Sequence, residues 1–171
     1  MSTLNSAVLA LGSNLGDRAA NLQRALDSLI DSGALTGVVA SSIYETDPIG
    51  GPEQGPYLNA VVRGLTKLDP ADLLAHAHRI EDQLGRVRTI HWGPRTIDID
   101  VIVYGQEVLA TEDLTIPHPR AHERTFVLMP WNEIDSAFEI PGRGSIATCL
   151  AALPQEGIEV CKGSSLIVKA G

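Results

Sequence analysis

Cysteine is scarce. Cys149 and Cys161 are too few for a disulfide framework and stand at no metal-ligand spacing, so free thiols in a reducing compartment are expected and zinc is not. No apolar run approaches the roughly 18 residues of a membrane span, and Met1-Ser-Thr-Leu-Asn5 has no basic stretch leading into an apolar block. Neither a membrane partner nor a secretory leader is expected, and the cytoplasm is the expected location. Positive charge is also short: 13 Lys and Arg against 21 Asp and Glu give a net charge of −8, which argues against nucleic-acid binding. Two glycine signatures for phosphates are missing. The pattern Gly-x4-Gly-Lys-Ser/Thr does not occur, and Gly12-Ser-Asn-Leu-Gly16 does not match Gly-x-Gly-x-x-Gly, so any nucleotide here is held by side chains.

What is present is a chain of 171 residues, 44% apolar, enough for one domain over residues 1–171 with a real core. It shows no internal repeat and no linker, and a monomer is expected. The few basic residues are unevenly placed: six of ten arginines lie between Arg79 and Arg124, beside four of the five histidines, which run from His78 onward. Such a cluster on an acidic chain suggests a small anionic ligand at a defined site.

Residues 6–11 read as a buried strand, followed by a loop at Gly12–Gly16 and a helix marked by Ala19, Leu22, Leu26, Leu29 and Ile30 that stops at Gly33. A strand follows over 38–45, then an irregular Pro/Gly-rich loop over 47–56, then a strand over 57–65 with Tyr57, Asn59 and Val61 on one face. Asp69 can cap and Pro70 can start a helix whose stripe is Leu73, Ala77, Ile80 and Leu84, ending before Gly85. After a loop over 86–95, residues 96–104 form a strand, and Gly105-Gln106 turns into a short partner strand. Helices are expected near 120–133 and 144–153, while the tail from Gly157 can pair or wander. The order β-α-β-β-α-β-β predicts an α+β class: a ferredoxin-like βαβ sandwich with an antiparallel or mixed sheet covered by helices.

Within strand 96–104, Ile97, Ile99, Val101 and Val103 should face one way, with Asp98, Asp100, Ile102 and Tyr104 facing the other. Residues two apart on a strand face are ~6.6 Å apart, from which two carboxylates can converge on hard cations. The plain alternative is a solvated sheet edge, or ion pairs to Arg86, Arg88 or Arg95. Directly upstream stands Arg86-Val-Arg-Thr-Ile-His-Trp-Gly-Pro-Arg95, a loop with three guanidinium groups and an indole. Guanidinium forks suit phosphate oxygens and Trp92 can stack or cover, so loop and strand together look like two halves of a magnesium-phosphate site. A second cluster, Ile116-Pro-His-Pro-Arg-Ala-His-Glu-Arg-Thr-Phe126, reads equally as a turn leading to a polar helix face.

Four blocks resemble the 6-hydroxymethyl-7,8-dihydropterin pyrophosphokinases over about residues 8–135: Leu11-Gly-Ser-Asn-Leu-Gly-Asp17, Tyr57-Leu-Asn-Ala60, Arg86 through Asp100, and Ile116 through Phe126. The resemblance implies transfer of the terminal two phosphates of ATP, as co-substrate, to a pterin alcohol, releasing AMP in folate biosynthesis. It implies that Asp98 and Asp100 bind two Mg²⁺ ions, and that Arg86 and Arg95 grip the phosphates; these four form the catalytic set. Arg88 and Trp92 would close over the site, Arg88 toward ATP and Trp92 toward both substrates, while Thr115, His118, Arg124 and Glu81 would lie along ATP. The pterin would stack between Tyr57 and Phe126, with Thr46, Asn59 and Asp98 at its polar edge. His78 and His91 depart from the family's usual Gln and Arg, and beyond Glu139 the resemblance fades. Two other readings fit the same residues: a magnesium-dependent phosphoryl or nucleotidyl transferase acting on another alcohol, and a noncatalytic ligand-binding domain.

Overall fold

The helices form where polar caps meet apolar stripes. In the computed structural model, which describes residues 3–46, 55–85 and 96–169, strand β1 (Asn5–Ser13) leads to helix α1 (Arg18–Asp31). The Asp17 carboxylate accepts from the Ala20 N–H at 3.1 Å, and Leu22, Ala25, Leu26 and Leu29 are buried along one face. Strands β2 (Thr36–Ala40), β3 (Tyr44–Thr46) and β4 (Tyr57–Thr66) follow. Helix α2 (Pro70–Gln83) opens as expected, with Asp69 accepting from the Asp72 N–H at 2.8 Å. Then come β5 (Asp98–Tyr104), the short pair β6 (Leu109–Ala110) and β7 (Thr115–Ile116), and α3 (Thr125–Asp135). A second short pair, β8 (Glu139–Ile140) and β9 (Gly144–Ser145), precedes α4 (Ile146–Ala151) and β10 (Ile158–Val160).

The main sheet runs β10-β3-β4-β1-β5, with β2 also on β4, and every pairing among its described strands is antiparallel. The fold is α+β. Helices α1 and α2 cover one face, over a core that includes Leu9, Leu11, Leu26, Leu58, Leu73 and Ile99. Helices α3 and α4 cover the other, over Val8, Val61, Ile102, Val103, Leu128 and Trp131.

Several boundaries differ from the sequence expectation, each for a physical reason. Strand β1 runs on through Gly12 and Ser13, which were expected in a loop, because β4 pairs with it as far as Leu58. The expected strand 38–45 breaks after Ala40, where Ser41 takes over: its N–H donates to Val61 C=O at 2.9 Å and its Oγ accepts from Val61 N–H at 2.9 Å. Strand β5 carries a bulge, since Val8 faces Val103 while Leu9 faces Val101 and leaves Ile102 as the extra residue. Alternation therefore resets: Val103 joins Ile102 in the α3 core, and Tyr104 returns to the α1/α2 core. The expected helix over 120–133 starts later, because Arg124 is extended (φ −113°, ψ 107°) between a short 3-10 turn and α3. In the segment expected to be helical over 144–153, the first two residues pair as β9 before α4 begins.

Strand β6 pairs with β7 and not with β5. The outer edge of β5 is already used, as the Glu81 carboxylate accepts from Ile99 N–H at 2.8 Å and the Ile102 carbonyl accepts from His118 N–H at 2.8 Å. The tail does pair: β10 lies on β3, and farther on Gln23 exchanges two hydrogen bonds with the backbone of Ile167, at 2.8 and 2.9 Å. Trp131 is fully buried against Phe138, ring centroids 5.3 Å apart, and centres the α3 core. Trp131→Ala is expected to lower the free energy of unfolding by about 3–5 kcal/mol in urea titrations, since a large core cavity cannot close.

Candidate active site

The antiparallel register sets one row of residues across four strands. Tyr44 faces Asn59, Asn59 faces Gly12, and Gly12 faces Asp98. The next row toward the far end of β4 is Val61, Ala10 and Asp100; the next in the other direction pairs Tyr57 with Thr46. Side chains two apart share a face, and Val61 fixes that face as the α3 side. Thr46, Tyr57, Asn59, Asp98 and Asp100 therefore share one surface, as the alternation in β4 and β5 predicts.

Gly12 lies between Asn59 and Asp98, and its missing side chain makes the floor. A Cβ there would stand 3.0 Å from Asn59 Oδ1 and 3.6 Å from Tyr57 Cδ1, closer to the amide oxygen than ordinary packing allows. The amide itself is held, since Asn59 Nδ2 donates to Thr46 Oγ1 at 2.7 Å and leaves Oδ1 turned toward the floor. Asn59 and Asp98 sit two strand spacings apart, about 10 Å. That gap is wide enough for a flat ring, with a carbonyl oxygen at one side and a carboxylate at the other. The sequence reading gave Gly12 no role; the signal available was a glycine within an otherwise apolar strand, which marks close approach of something to the backbone.

On the α3 side, Phe126 is half-buried at the start of the helix, and the Arg124 guanidinium lies 5.6 Å above its ring. His118 is placed by two backbone contacts. Its N–H holds the bulged Ile102 carbonyl, and its Nδ1 accepts from Arg120 N–H at 3.2 Å, so the ring proton belongs on Nε2. Burial, with Arg124 and then Arg120 adding positive charge, lowers the His118 pKa from 6.5 to about 4 against the opposing pull of Asp98. His118, Arg124 and Asp98 are thus electrostatic neighbours, and the imidazole is neutral at physiological pH.

Thr115 is exposed on β7 and lines, with His118, a groove of about 320 Å³ that also takes in Leu109, Pro117, His122 and Arg143. Glu81 is expected along a nucleotide. It is 1% exposed, and its carboxylate reaches the Ile99 N–H between the two aspartates. Arg86, Arg88, Trp92 and Arg95, together with His91, lie outside the described residues, as do positions 47–54 of the Pro/Gly-rich loop. The residues flanking these segments are tied. Thr96 Oγ1 donates to the Gly85 carbonyl at 3.3 Å, two residues before Asp98. Arg18 holds both flanks of the other segment, with Nη1 3.3 Å from the Glu45 carboxylate and donating to the Pro56 carbonyl at 2.9 Å.

The chain is similar to several known proteins. The model of the family described as 7,8-dihydro-6-hydroxymethylpterin-pyrophosphokinase (HPPK) matches residues 8–136. A 2-amino-4-hydroxy-6-hydroxymethyldihydropteridine pyrophosphokinase of Bacillus subtilis (strain 168) is 44% identical over 161 residues, 94% of this chain and 93% of that protein. The protein of that name from Haemophilus influenzae is 42% identical over 80% of this chain and 85% of its own length. Among solved structures, an HPPK-DHPS in complex with substrates superposes with a TM-score of 0.68 at 15% identity, over 88% of this chain and 43% of that one. Wild-type Plasmodium falciparum HPPK-DHPS with pteroate gives 0.70 at 15% identity, over 89% and 45%. The chain thus spans less than half the length of these two structures, and at such identity they speak for the fold. With a matching family model over most of its length and two close, near-full-length relatives, the chain belongs to the HPPK family.

Proposed function

We propose that this chain transfers a diphosphoryl group from ATP to the hydroxymethyl group of 6-hydroxymethyl-7,8-dihydropterin, giving AMP and the pterin diphosphate in folate biosynthesis. The observation that carries this is the row Asn59–Gly12–Asp98, a bare backbone floor flanked by an amide oxygen and a carboxylate. The pterin ring lies over Gly12 between Tyr57 and Phe126, with Asn59, Thr46 and Asp98 reading its polar edge. Its hydroxymethyl group then points along β5 toward Asp100.

Asp98 and Asp100 are two hard oxygen donors on one strand face, a set that suits Mg²⁺, and we assign two ions to them. When bound, Mg²⁺ neutralises triphosphate charge and polarises the reacting phosphoryl group. The hydroxyl oxygen forms a bond to the β-phosphorus as the bond from that phosphorus to the α-phosphate bridging oxygen breaks; AMP leaves with that oxygen, and the hydroxyl proton is released to solvent. His118 offers Nε2–H as a neutral donor to a phosphate oxygen, while Arg124 supplies fixed charge beside it. Thr115 lies farther along ATP. Arg86 and Arg95 grip the phosphates, and Arg88 and Trp92 close over the site, entering from a segment rooted at Gly85 and Thr96. Glu81 holds Ile99, and through it the spacing of the two aspartates. The chain acts as one domain and a monomer in the cytoplasm, on small molecules without nucleic acid or membrane. No helix among the described residues is long and apolar enough to cross a membrane, and the charge is acidic.

The defining assay follows AMP, by chromatography, from ATP, Mg²⁺ and the pterin alcohol; formation of ADP, or AMP release independent of the pterin, would contradict the reading. Asp98→Ala and Asp100→Ala should each lower kcat by at least ~100-fold. Gly12→Ala should weaken pterin binding by about tenfold or more while leaving the KM for ATP near wild type, because the methyl group fills the floor. The His118 ring resonances, followed by NMR in substrate-free protein, should titrate near pH 4, not 6.5. Because the folded pKa lies below the unfolded one, the associated stability is complete above pH 6.5 and is lost as pH falls through about 4.

A further inference from the structure

The two walls of the ring site belong to elements far apart in sequence: Phe126 stands on α3, and Thr46 on β3, a strand of 3 residues. One carboxylate joins them. Glu133 lies seven residues after Phe126, two turns along the helix, so both side chains leave α3 on the same side. Glu133 Oε1 accepts from Tyr44 Oη at 2.6 Å, and Oε2 accepts from Ser42 N–H at 2.9 Å and Ser42 Oγ at 3.0 Å. These three bonds are all made to the entry of β3. Tyr44 is 6% exposed, and burial followed by the Glu133 carboxylate raises its pKa far above the ordinary phenol value, so it stays a donor. From Tyr44 the register runs directly to Asn59, and two residues on from Thr46 to Tyr57.

We propose that Glu133 is a positioning residue for the pterin, fixing the distance between Phe126 and the surface formed by Thr46, Tyr57 and Asn59. This rests on the reading of those residues as the ring site. Stacking contacts fall away within a fraction of an ångström beyond van der Waals distance, so a wall set slightly too wide loses much of its grip. Charge-assisted hydrogen bonds, one of them as short as 2.6 Å, are stiff enough to hold that spacing. A second tie, Arg63 Nη1 to Asp135 Oδ1 at 3.3 Å, joins α3 to β4 farther from the ring site and is half-exposed, so it cannot substitute for Glu133.

The test measures pterin affinity by fluorescence titration, the KM for ATP, and the urea unfolding midpoint for wild type, Glu133→Ala, Glu133→Gln, Tyr44→Phe and the double variant Glu133→Ala/Tyr44→Phe. Glu133→Ala should weaken pterin binding about tenfold with the KM for ATP unchanged. Glu133→Gln, which keeps one acceptor oxygen, should fall between, and the double variant should bind no worse than Glu133→Ala because both changes break one contact set. Unchanged pterin affinity with a lowered unfolding midpoint would make Glu133 a tether only, and equal weakening of both substrates would mean general loosening; either overturns the proposal. If Glu133→Ala does not fold, Glu133→Gln and Tyr44→Phe decide by the same criteria. Wild-type protein that fails to bind the pterin would instead sink the site assignment itself.

Discussion

The register of three strands is the constraint on which the site depends. Because β4, β1 and β5 pair antiparallel with Asn59, Gly12 and Asp98 abreast, an amide and a carboxylate from strands that do not pair with each other face each other across a backbone floor. A slip of one residue in either pairing would send one partner to the α1/α2 core and bring an apolar residue to the floor. The large side chains on that hidden side, Leu9, Leu11, Leu58 and Ile99, are what hold the register, since each would be exposed by such a slip. Burial on one face of the sheet thus sets the chemistry on the other.

Carboxylates tie down groups on both flanks of the candidate site. At β5, Glu81 takes the Ile99 N–H from the α2 side, and the bulge at Ile102 turns a carbonyl to the His118 N–H. At β3, Glu133 takes the Ser42 N–H and the Tyr44 hydroxyl, while β10 pairs along the remaining edge. Backbone donors and acceptors beside a strand must be satisfied, and here several are satisfied by residues that also locate the side chains of the candidate site. Edge protection and site geometry come from the same hydrogen bonds. The acidic balance of the chain is consistent with this use, since several carboxylates act as acceptors for backbone groups rather than as surface charge.

Much of the fold was legible because local rules sufficed. Asp69-Pro70 and the stripe through Ile80 gave α2, and alternation placed Tyr57, Asn59 and Val61 on one face of β4 and Asp98 with Asp100 on one face of β5. The misplacements in the main sheet involve nonlocal pairing. Gly12 reads as a loop residue until Asn59 and Asp98 pair beside it; Val103 changes face because β1 skips Ile102; β2 and β3 separate because Ser41 bonds Val61. Nor does anything local reveal that the Ile99 N–H meets the Glu81 carboxylate across the core.

What the sequence determined by itself is chemistry: hard oxygen donors two residues apart, guanidiniums just before them, an acidic and cysteine-poor chain, and blocks specific enough to name a family. Those features are covalent and close in sequence, so they survive without knowledge of the fold. Only the tertiary structure decided which groups share a surface, that a glycine forms its floor, that His118 carries its proton on Nε2, and that Glu133 ties one wall to the other. The physical reason is that pairing register and helix docking are set by summed burial over many distant residues, and no short window of sequence contains that sum.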